Sequence, residues 1–208
     1  EKCLADRSDW DPNSIFGFIS RGLRGLNNMR NEFRGVDLAI CDDMGTECAD
    51  FIVSQKNRVV FIHAKGVGRE GRVAHYGAGK LTDVCGQATK NIRYLSMFNH
   101  LKPKHVKRFV GPWSSPTTTE GSVKSRILLN RTDCKTADNL WELLHERIQD
   151  PGTTREVWMV LGGILSKKRL GEELKKSTPE AVQAVTLLHG TLAAIGSIDA
   201  KLRVFCHE

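Results

Sequence analysis

With 208 residues, 40% of them apolar and 26% charged, the chain can build the core of one domain or two small ones. Its net charge of +7 favours capture of polyanions, nucleic acid above all. No apolar run approaches the ~18 residues a membrane helix needs, so no membrane partner is expected.

The apolar periodicity predicts a helix over 11–30, started by Asp11 and Pro12 and carried by Ile15, Phe18, Ile19, Leu23 and Leu26. Three strands follow: 36–43, then a Gly45 turn, 47–54, a polar turn at 55–58, and 59–65. Residues 66–80 are Gly-rich and read as loop. A helix capped by Thr82 or Asp83 is expected to run to about Phe98. The segment 101–132 reads as irregular and basic, with one strand at 124–129. It holds seven Lys and Arg against the single Glu120. Beyond it come a helix over 136–149, a strand over 156–165, a helix or helix pair over 167–195 and a strand over 202–208. Helix, meander, helix, then helix, strand, helix, strand makes a mixed α/β layer architecture. The whole of 1–208 is expected to be one domain: core motifs in 11–98, the basic segment 101–132, and an α/β completion in 135–208. The first residue is Glu1 rather than Met and no signal-peptide pattern is present, so a piece of a larger protein is expected.

Six cysteines contain no C-x-x-C pair, which argues against a zinc site. They read as buried thiols of a cytoplasmic or other reducing intracellular compartment. Gly77-Ala78-Gly79-Lys80 lacks the first Gly and the final Ser or Thr of a phosphate loop and is rejected as one. Trp113, set between Pro112 and Pro116, reads first as an anchoring aromatic and second as a base-stacking one.

The third strand carries the sharpest chemistry. Alternation puts Val59, Phe61, His63 and Lys65 on one face and Val60, Ile62 and Ala64 on the other. A lysine among apolar neighbours needs an anionic partner. Asp50, inside Ala-Asp-Phe-Ile on the preceding strand, is the nearest carboxylate across a short turn. The bland alternative is a structural Asp–Lys ion pair.

Asp50, then His63-Ala64-Lys65, then Gln87 in the following helix resemble the PD-(D/E)XK nuclease superfamily. There an early helix leads into a meander, the middle strand carries a metal-binding Asp, and the next strand ends in (D/E)-x-K. The stretches DDMGTECADFI, FIHAK and LTDVCGQATKN also resemble a branch of nuclease-like domains often joined to helicase-type proteins, so a helicase-type domain or partner is implied. The resemblance covers residues 11–98. It implies a restriction-endonuclease-like α/β fold, a mixed central sheet flanked by helices. It also implies cleavage of DNA, or less readily RNA, with Mg²⁺ or Mn²⁺. Asp50 and the Ala64 carbonyl would be metal ligands, Lys65 would assist the nucleophile, and Gln87 would hold a phosphate or the attacking water.

One departure stands out. His63 occupies the place of the family's second acid. Either His63 is itself a ligand, which suits Mn²⁺ better than Mg²⁺, or the carboxylate has migrated. Glu47 is then the first candidate, although strict alternation points it away from Asp50; Asp42 and Asp43 are spare acids. Lys90 on the helix face of Gln87, with Lys102, Lys104, Lys107 and Arg108, are the expected nucleic-acid contacts. The rival reading is a catalytically degenerate nucleic-acid-binding or protein-docking module on the same fold.

Overall fold

Ser14 starts the first helix. Its hydroxyl accepts the Gly17 N–H at 3.0 Å, while its own N–H and hydroxyl donate to the Asp11 carbonyl. The chain passes so close to itself here that a Cβ on Gly17 would lie 2.0 Å from the Asp11 oxygen. The computed structural model describes residues 4–6, 9–45, 47–66, 78–114 and 122–207. After a short antiparallel pair, β1 (Leu4–Asp6) and β2 (Asp9–Trp10), comes α1 (Ile15–Leu23). It is less than half the 11–30 span that periodicity suggests. Asp11 and Pro12 precede the cap rather than starting the helix, and Gly25, at φ 77°, turns the chain away, leaving Leu26 60% exposed.

The meander is β3 (Leu38–Cys41), β4 (Phe51–Gln55) and β5 (Arg58–Gly66), all antiparallel. α2 (Ala78–Lys90) follows. A 3-10 turn at Val106–Val110 leads to a second short pair, β6 (Trp113–Ser114) and β7 (Ser122–Val123), and then to β8 (Ile127–Asn130). The remainder is α3 (Ala137–Gln149), β9 (Thr154–Gly162), α4 (Lys167–Lys175), α5 (Pro179–Gly196) and β10 (Lys201–Phe205). These lie within about three residues of the elements read from periodicity.

The result is mixed α/β: a six-stranded sheet in the order β10-β9-β5-β4-β3-β8, flanked by helices. β9 runs parallel to both β5 and β10, and β8 closes the other edge antiparallel to β3. β5 and β9 are buried on both faces, which explains their near-continuous apolar sequences. Val59, Phe61, Val157, Met159 and Leu161 pack with α2, α3 and α5; Val60, Ile62, Ala64, Trp158 and Val160 pack with α1, Trp10 and Trp113. Among the described residues no helix is long and apolar enough to cross a membrane.

Two further boundaries differ from the sequence reading, and both shape the site. The second strand starts at Phe51 rather than 47, so 47–50 is loop. The helix expected over 82–98 begins at Ala78, its side chain outside the described set, and stops at Lys90; Ile92–Leu95 is a separate 3-10 turn. The Gly-rich stretch expected to be loop falls largely on residues outside the described ones.

Candidate functional site

β5 outruns its neighbour. Phe51 of β4 pairs with Ile62, so the backbone of Ala64 extends past the start of β4, while on its other side β5 stays paired with β9 as far as Gly66. A buried N–H in that position must find an acceptor. Asp50 supplies it: its Oδ2 accepts the Ala64 N–H at 2.7 Å. The Asp50 carbonyl meanwhile accepts the Asp42 N–H at 3.0 Å, which carries the β3–β4 ladder one step further. Asp50 is thus held at backbone and side chain, near the end of the strand that carries His63, Ala64 and Lys65.

Residues 42–45 and 47–50 supply the rest of this rim. Asp42 Oδ2 accepts the Cys48 N–H at 2.8 Å, Glu47 Oε2 accepts the Met44 N–H at 3.2 Å, and Gly45 takes φ 81° in the turn between them. Asn91, just past α2, donates to the Glu47 carbonyl at 2.6 Å. Because 47–50 is loop, the alternation that would turn Glu47 away from Asp50 does not apply. Asp43, Glu47 and Asp50 each offer a carboxylate oxygen, and these oxygens lie within 4.8 Å of one another. Asp43 and Asp50 are each only 4% exposed; Glu47 is half-buried.

The loop is braced from the segment 101–132. Arg108 donates to the Asp42 carboxylate at 3.2 Å and to its carbonyl at 3.0 Å. Arg126 donates to the carbonyls of Cys41 at 3.0 Å and Asp43 at 2.9 Å. Trp113 Nε1 donates to Asp43 Oδ2 at 2.8 Å. Burial pushes the Asp42 carboxyl up to about 6, against the opposing pull of the Cys48 N–H and Arg108.

Asp50 and Glu47 therefore meet as the migrated-carboxylate reading requires, and Asp43, only a spare acid in the sequence, joins them. His63 is not in that group. It is buried, and desolvation pushes its imidazole down to about 4, so it is neutral at physiological pH. Lys65 is half-buried, two residues further along β5 and so on the same face by alternation. Gln87 is half-buried on α2 and its Oε1 has no hydrogen-bond partner among the described residues. Lys90 is exposed at the end of α2. Tyr94 lies beyond that helix and packs edge-on against Trp141, so it does not extend the Gln87–Lys90 face.

In the basic segment, Lys102, Lys104 and Lys107 are exposed, and Lys102 pairs with Asp138. Arg108 and buried Arg126 face inward; Arg108, expected as a phosphate contact, forms an ion pair with Asp42. Among the described residues of the segment, Val106, Phe109 and Trp113 are core residues. Trp113 is the anchoring aromatic that its prolines suggest, but nothing local in the sequence pairs it with Asp43. No protein-family model, no curated protein and no solved structure matches the chain.

Proposed function

We propose that this chain is a metal-dependent phosphodiesterase of restriction-endonuclease-like fold, cleaving nucleic acid, DNA in preference to RNA, with Mg²⁺ or Mn²⁺. The observation that carries it is the gathering of Asp43, Glu47 and Asp50 at the rim where β5, with Lys65 as its penultimate residue, ends. The order of α1, the antiparallel meander, α2 and a parallel neighbour for β5 supports the fold. The donor set fits a hard divalent cation, since it is all oxygen. Octahedral ligands at about 2.1 Å stand ~3.0 Å apart when adjacent and ~4.2 Å apart when opposite. Carboxylate oxygens within 4.8 Å of one another can adopt that spacing with small side-chain movement.

A bound divalent ion would supply charge neutralisation at the phosphate and a lower pKa for water at the site. The protein's own residues do the rest. Asp50, fixed by the Ala64 N–H, and Asp43, fixed by Trp113, present acceptors in a set geometry. The Lys65 ammonium is a compact cation for the negative charge that develops on the phosphoryl oxygens. Gln87 Oε1 accepts a hydrogen bond from the attacking water.

The test is cleavage of plasmid and single-stranded DNA, and of RNA, by the purified chain. Activity that begins on adding Mn²⁺ or Mg²⁺, stops with EDTA and is lost in Lys65→Ala is expected. Cleavage indifferent to EDTA, or undiminished in Lys65→Ala, rules the proposal out. One observation favours a second reading, the degenerate binding module: the family's second acid position holds a buried neutral His63. Metal-independent DNA binding with no cleavage by any ion would select it.

A further inference from the structure

Asp43 sits two residues beyond the end of β3. Three donors from one distant segment converge on it and its neighbours. Arg126 holds the carbonyls on either side of Asp42, Arg108 holds Asp42 itself, and the Trp113 indole reaches the Asp43 carboxylate. Of these bonds, the one from Trp113 ends on a side-chain atom of the acidic trio. Its ring is fully buried in an aromatic cluster with Trp10, whose centroid is 5.9 Å away. Trp10 provides an internal comparison: its Nε1 is buried without a partner among the described residues, so of these two neighbouring indoles it is the Trp113 N–H that reaches a carboxylate of the trio. It uses one of the roughly four acceptor sites that a carboxylate offers. Carboxylates that ligate metals are commonly oriented by such an outer hydrogen bond, and losing it costs about 10–100-fold in metal affinity.

We infer that Trp113 is the positioning residue of the acidic site, its indole N–H holding the Asp43 carboxylate in the geometry that a divalent cation needs. This rests on the metal-site reading of Asp43, Glu47 and Asp50. Its consequence is that Arg108, Trp113 and Arg126 of the basic segment serve the site as inward donors. Arg108 and Arg126 fix the backbone of the loop and Trp113 fixes the ligand.

The experiment compares Mn²⁺ affinity, by calorimetry on the full chain, in the unaltered protein, Trp113→Phe and Trp10→Phe. Both variants lose an indole from the same cluster, but only the first loses a bond to Asp43. Trp113→Phe should raise the Mn²⁺ Kd about 10–100-fold, while Trp10→Phe should leave it within about 2-fold, the level expected of a residue that does not touch the ligand. Equal affinity in the unaltered protein and Trp113→Phe, or equal losses in both variants, overturns the assignment. If Trp113→Phe does not fold, the unaltered protein decides. On titration with diamagnetic Mg²⁺ the Trp113 indole N–H resonance should shift in proportion to occupancy, and an unmoved resonance overturns it. Absence of any Mn²⁺ or Mg²⁺ binding by the unaltered protein is a different failure, which removes the metal site and this inference together.

Discussion

Asp50 Oδ2 lies 2.7 Å from the backbone nitrogen of Ala64, so a side chain from the loop before β4 completes a ladder that the strand itself leaves open. The same carboxylate shares its surroundings with Asp43 and Glu47. One group thus has a structural duty and a candidate chemical one, and two substitutions separate them. Asp50→Asn keeps an oxygen for the Ala64 N–H but loses the charge. It should retain thermal stability within about 1 kcal/mol, the net scale of one hydrogen bond, while metal-dependent cleavage falls at least ~10²-fold. Asp50→Ala should lose cleavage and, in addition, about 1–3 kcal/mol of stability through the orphaned buried N–H. Equal unfolding midpoints for the two variants would contradict the structural half of this account.

His63 sets a dependence on acid. Its folded pKa of about 4 is below the ordinary 6.5, so between those values the unfolded chain binds a proton that the folded chain does not. The contribution is fully present above about pH 6.5 and is lost as pH falls towards 4. The shift corresponds to about 3 kcal/mol. Urea unfolding at pH 7, 6, 5 and 4 should show that decline, and His63→Gln should flatten it. Because His63 lies outside the acidic group, His63→Gln should also keep the Mn²⁺ Kd within a few-fold. A loss beyond about 10-fold, the scale on which a metal site weakens when one of its supports is removed, would return His63 to the role of ligand.

Arg147 ties α3 to the start of the meander. It makes two hydrogen bonds to the Asp37 carboxylate, at 2.7 and 2.8 Å, and a third to Ser54 Oγ at 2.8 Å. The two side chains are 14% and 28% exposed, so solvent screens the pair only in part. Arg147→Ala should cost about 2 kcal/mol, the range of hydrogen bonds to a charged group. Arg147→Lys should recover little of it, because an ammonium cannot reproduce the planar fork. Full recovery in the lysine variant would show that charge alone, not the fork, matters here.

The basic segment separates into two kinds of residue. Lys102, Lys104 and Lys107 are exposed, whereas Arg108 is committed to Asp42. Replacing the three lysines by Ala should reduce the slope of log K for DNA against log salt by about 0.9 for each phosphate that is no longer neutralised. Arg108→Ala should leave the slope unchanged and weaken Mn²⁺ binding, since it loosens the acidic loop. A slope altered by Arg108→Ala and not by the triple lysine variant would reverse this division.

The sequence by itself determined the elements whose signal is local. The double-faced apolar run of β5 and the periodicities of α3 and α5 report burial that recurs every two or three to four residues. His63 and Lys65 on a buried strand, with Asp50 one turn away, marked the rim where the acids gather. Tertiary structure decided which acids they are. Asp42 and Asp43 are adjacent and chemically alike, yet Asp42 is taken by Arg108, 66 residues away, and Asp43 is held by Trp113, 70 residues away. Glu47 reaches Asp50 because the chain at 47–50 is loop where β-propensity suggests strand, and hydrogen bonds from Arg108, Arg126 and Asn91 hold the residues between β3 and β4. Alternation and propensity describe a residue's nearest neighbours along the chain. A buried carboxylate takes its role from whichever donor the fold brings to it: Ala64 for Asp50, 14 residues away, Arg108 for Asp42, 66 away, and Trp113 for Asp43, 70 away.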